Sequence, residues 1–118
     1  MQSVPFVHFA SLLGPKGENV RVKSVVDDGA MCGALDSDFY DKVSHRLSPL
    51  GTSTKILRMA NGTLTPSRGV WKGTVEFGGM RGDGELEVFP SGGAWTMLFG
   101  KPLLEAFGML HDYVTDEI

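Results

Sequence analysis

The sequence predicts an all-β domain, and three observations carry that expectation. Its 16 glycines fall between short runs of alternating apolar residues, turn dipeptides recur at close intervals, and helical spacing is confined to two short segments. A chain of 118 residues is one domain, expected over 1–118, with enough mass for a real core. It is small for an enzyme with a two-lobed cleft, which two copies together could build.

The elements follow in order. A first strand is expected over 5–10, closed by Gly14-Pro15-Lys16-Gly17. The second covers 20–27: Val20 and Val22 alternate, then Val25 and Val26 run together as a strand entering the core. Another short strand is expected over 31–35. Asp36 or Ser37 can cap a helix carrying Phe39, Val43 and Leu47 on one stripe, ended by Pro49. Segments 55–59 and 63–66 flank Asn61-Gly62 as a hairpin. Trp71, Gly73, Val75 and Phe77 share one face of a strand over 69–77, which Gly78-Gly79 turns. Asp83-Gly84 is expected as a second turn, before a strand over 85–89 with Leu86 and Val88 inward. Pro90-Ser91-Gly92-Gly93 leads to a strand over 95–99, Pro102 opens a helix lined by Leu103, Leu104 and Phe107, and 109–114 returns to extended structure. Trp71, Trp95, Phe77, Phe89 and Phe99 stand at strand spacings and are expected in the core.

The chemistry-bearing residues are Asp27-Asp28-Gly29-Ala30, set directly behind Val25-Val26. A carboxylate on a tight strand exit is held near backbone N–H groups, where it is positioned for acid–base work. Downstream, Leu98-Phe99-Gly100 precedes Pro102, and the Asn61-Gly62 hairpin lies between the two motifs.

In that order the three motifs resemble the retroviral-type aspartic proteases (retropepsins), most nearly those of LTR-retrotransposon polyproteins. The resemblance spans about residues 20–113. It implies a closed β-barrel with a flap hairpin and one or two short helices, and aspartic endopeptidase activity in a homodimer. Asp27 would be the catalytic residue of each subunit, acting on a peptide or polyprotein substrate. Gly29, Ala30, Asn61, Gly62 and Leu98 would contact substrate, with the hairpin around Asn61-Gly62 as the flap. Segments 4–9 and 110–114 would pair with the termini of the second subunit.

Three positions depart from the family pattern. Asp28 stands where the family has a Ser or Thr whose hydroxyl bridges the dimer base; an ionised carboxylate cannot donate that bond, and two near one axis repel. Lys101 stands where Arg is frequent, and the Asp that would pair with it is Met31. The alternative reading is therefore a catalytically silent retropepsin-fold module whose groove or termini serve binding or dimerisation. An unrelated small barrel is a third.

Other classes find no support. The net charge of −3 has no basic stripe, so no nucleic acid is expected. Cys32 is the single cysteine, and His8, His45 and His111 lack ligand spacing, so neither a disulfide nor a metal is implied. The glycine-rich stretch 78–84 lacks the strand-to-helix context of a phosphate loop, and no cofactor is expected. Asn61-Gly62-Thr63 spells a glycosylation sequon, read as a turn. With no membrane-length apolar run and no secretory leader pattern, a soluble, cytoplasmic protein without membrane contact is expected.

Overall fold

A computed structural model describes residues 6–27, 30–58 and 62–107. Its eight strands are β1 (Phe6–Leu13), β2 (Asn19–Val26), β3 (Ala34–Asp36), β4 (Ile56–Arg58), β5 (Leu64–Pro66), β6 (Val70–Phe77), β7 (Met80–Phe89) and β8 (Met97–Phe99). The described residues also form two short helices, α1 (Ser37–Val43) and α2 (Lys101–Ala106), with one 3₁₀ turn at Ser44–Arg46. Six strands close a barrel in the order β1-β2-β8-β3-β7-β6, and β4 and β5 form a separate two-stranded sheet.

Alternation in the sequence becomes the inside of that barrel. Leu12, Val20, Val22, Leu35, Trp71, Val75, Leu86, Val88, Met97 and Phe99 are buried together. Phe99 stacks obliquely on Phe77 with ring centroids 4.3 Å apart, and Phe107 meets Phe99 edge-on at 5.5 Å. Gly78 and Gly79 both have positive φ, +59° and +82°, and turn β6 into β7 with Phe77 opposite Met80.

The strand expected over 85–89 is longer than the sequence suggested. Asp83-Gly84 makes no turn; β7 runs unbroken from Met80 and pairs with β6 from Met80 to Glu87, Gly84 opposite Gly73. The glycine there answers a packing need. A Cβ on Gly84 would lie 2.8 Å from Leu103 of α2 and 2.9 Å from Val75, so its absence lets the helix seat against the sheet.

Three other expectations shift. β1 extends to Leu13, because residues 10–12 also pair with β6. The helix stops at Val43, and Leu47 reaches the core from extended backbone beyond the 3₁₀ turn. Trp95 precedes β8 and is only half-buried, outside the core. The expected strand over 109–114 lies outside the described residues. No described helix is long and apolar enough to cross a membrane.

Asp36 resolves the choice of cap. Its Oδ2 accepts the Phe39 N–H at 3.1 Å, capping α1, while Oδ1 accepts the N–H of Ser91, 55 residues away, at 2.9 Å. Burial pushes the Asp36 carboxyl up, but the hydrogen bonds from Ser91 and Phe39 outweigh it and hold the group below the ordinary aspartate value. A depressed folded-state pKa contributes stability that is fully present above the unfolded value and is lost as pH falls through the folded one. Asp36→Ala is expected to cost about 1–2 kcal/mol at neutral pH. The difference in thermal midpoint from wild type should narrow as pH drops below the carboxylate range; a pH-independent difference would contradict the role.

Candidate active site

β2 and β8 lie parallel, with Val25 opposite Leu98 and Val26 opposite Phe99. Asp27 is the first residue past that pairing, and its N–H donates to the Phe99 carbonyl at 3.2 Å. The Ala30 N–H then donates to the Asp27 carbonyl at 3.1 Å. The sequence signal of a tight strand exit is realised here.

Gly100 explains why the second motif ends in glycine. A Cβ there would sit 2.3 Å from the Cys32 carbonyl oxygen and 3.1 Å from that of Ala30. The loop carrying Asp27 thus lies directly on the residue preceding α2. The Lys101 N–H donates to the Ala30 carbonyl at 2.9 Å and ties the two segments together. Asp27 is consequently fixed by backbone from both motifs while its side chain stays exposed.

That side chain borders an open cleft of about 820 Å³. Ala30, Met31, Cys32 and Leu98 border it beside Asp27. Lys55, Ile56, Leu57 and Arg58 border it from the β4 side, and Phe89, Ser91, Ala94 and Trp95 complete the lining. β4 pairs with β5 from Ile56–Pro66 to Arg58–Leu64, so the hairpin borders the cleft through β4 as a sheet separate from the barrel.

Of the residues singled out in the sequence, Asp27, Ala30 and Leu98 meet in this cleft. Gly62 has φ +87°, as its turn signal predicts, but is exposed and does not line the cleft. Asp28, Gly29 and Asn61 lie outside the described residues. Cys32, Lys55, Ser91 and Trp95 were not anticipated there, since each reaches the cleft through tertiary contacts that no local pattern reports. Burial pushes the Cys32 thiol up; Lys55 opposes this and Glu87 reinforces it. A thiol so raised stays protonated near neutrality and is a poor nucleophile. Among the described residues no group of His, Cys, Asp and Glu could hold a metal ion.

No protein-family model matches the chain, and no curated protein matches it by sequence. Solved structures do match it. EIAV protease, solved with an inhibitor, superposes with a TM-score of 0.65 at 13% identity, covering 90% of each chain. A retropepsin-like aspartic protease from Rickettsia conorii gives 0.63 at 25% identity over 89% of this chain and 81% of its own. The fold is retropepsin-like. The retroviral protease-like domain of Ddi1 from Leishmania major agrees, with a TM-score of 0.61 and 17% identity over 86% of this chain and 74% of that one. Within this retropepsin-like fold Asp27 and β4 of the β4–β5 hairpin border the same open cleft.

Proposed function

We propose that this chain is an aspartic endopeptidase that works as a homodimer, with Asp27 from each of two subunits forming one catalytic pair. The observation that carries the reading is the position of Asp27, held at the β2 exit by a backbone hydrogen bond to Phe99 and exposed beside an open cleft that the β4–β5 hairpin also borders. Like charges brought together about one axis cannot both ionise cheaply, so the pair shares a proton. The ionised carboxylate takes a proton from water as it attacks the peptide carbonyl; the protonated one donates to the carbonyl oxygen. No cofactor enters the scheme.

Substrate would lie extended between the hairpin and the Asp27 turn, as an added strand. Gly29 and Ala30 offer backbone contacts, Leu98 an apolar one, and Asn61 and Gly62 close over it as the flap. A polyprotein of retrotransposon type fits the motif order.

Asp28 would meet its twin at the dimer base. Asp28→Thr is therefore expected to strengthen association at neutral pH in sedimentation experiments, and unchanged affinity would remove Asp28 from the interface. The activity itself is tested by incubating the protein with a peptide library at acidic and neutral pH and reading products by mass spectrometry. Internal cleavage at either pH supports the proposal. Intact peptides at both would overturn it and leave the binding-module reading.

A further inference from the structure

We infer that the cleft selects peptides carrying an acidic side chain, with Lys55 as the specificity-determining residue; the inference rests on the reading of the cleft as the substrate site. Lys55 stands at the base of the hairpin, and its backbone is anchored twice. Its N–H donates to Ser53 Oγ at 3.2 Å, and its carbonyl accepts the Ser67 N–H at 2.8 Å. Ser53 Oγ in turn donates to Glu87 Oε1 at 2.5 Å, and Glu87 is only 4% exposed on β7. A buried carboxylate thus clamps the loop that presents Lys55, with the barrel wall as its support. This is a built position rather than a loose surface lysine.

Lys55 borders the cleft together with Cys32, and its charge opposes the rise that burial imposes on the Cys32 thiol. Arg58, two strand positions beyond Ile56, adds a second cation to the lining. Neither Lys55 nor Arg58 forms a salt bridge with another described residue. Against these two cations the described residues of the cleft lining include one acid, Asp27. Glu87 is engaged by Ser53 behind the lining. A substrate Asp or Glu side chain beside Lys55 would supply the missing counter-charge, whereas a Lys or Arg there would be repelled.

The test uses a library of otherwise identical peptides bearing Glu, Gln or Lys at each position in turn. Wild type should cut the best Glu peptide about tenfold faster in kcat/KM than its Gln counterpart, the effect of one charge-assisted contact. Lys55→Gln should abolish that preference and Lys55→Glu should turn it toward Lys. Lys23→Glu makes the same change in net charge on the exposed face of β2 and should leave the preference intact. A second arm measures binding of the fluorescein-labelled peptides to the Asp27→Asn protein by anisotropy. Cleavage without charge preference, or a preference untouched by Lys55→Glu, overturns the inference. If nothing is cut, the protease reading falls while the binding arm still decides: Lys55-dependent binding of acidic peptides upholds the subsite, and its absence overturns it.

Discussion

Asp27→Asn is expected to lower peptide cleavage by about a thousandfold or more while leaving the fold intact. General acid–base catalysis contributes about 10²–10⁴-fold, and here both halves of it run through one shared proton. Asn matches Asp in size but neither takes nor gives that proton. Structure should be spared because backbone hydrogen bonds to the Phe99 carbonyl and from the Ala30 N–H hold residue 27, and its side chain is exposed. Circular dichroism and thermal melting of the variant should therefore overlay wild type. Residual activity of more than a few per cent, with the same sensitivity to an aspartic-protease inhibitor, would take Asp27 out of the chemistry.

The second large effect is structural. Gly100→Ala should destabilise the protein by about 3 kcal/mol or more, because the new methyl group lands 2.3 Å from the Cys32 oxygen, a backbone atom that cannot rotate away. A drop in thermal midpoint of roughly 10 °C or more follows for a domain of this size. Activity should fall further than stability at temperatures where the variant is still folded, since the displaced segment carries Asp27. Gly51→Ala is the control: its Cβ would meet Val70 at an ordinary 3.5 Å, so the midpoint should move little. Equal melting of the two variants would show that the Gly100 contact does not hold the site together.

Much of this architecture was legible because it depends on local rules. The Gly78-Gly79 turn, the alternation through Trp71, Val75 and Phe77, the cap before Phe39 and the strand exit at Asp27 each arise within a few residues. What escaped depends on distant partners. Asp83-Gly84 reads as a turn until Leu103 and Val75 are placed over Gly84, when the same glycine becomes the condition for an unbroken strand. Trp95 reads as core by its spacing, yet the turn at Gly92 and Gly93 delays β8 to Met97 and leaves the indole at the cleft. Lys55 is one exposed charge among several until the Ser53–Glu87 link shows what presents it. The three ordered motifs carried the fold, and the solved structures that match it agree; the roles of Asp28, Gly29 and Asn61 rest on the motifs alone.

The central claim is that one active site is made from two chains, and mixing tests it most directly. Asp27→Asn protein is added in increasing ratio to a constant amount of wild type, subunits are allowed to exchange, and cleavage of a single peptide is followed. If each site needs Asp27 from both chains, every mixed dimer is inactive and cleavage falls steeply toward zero as the variant comes into excess. Activity that stays at the level of the wild type present, whatever the excess of variant, would contradict the shared site.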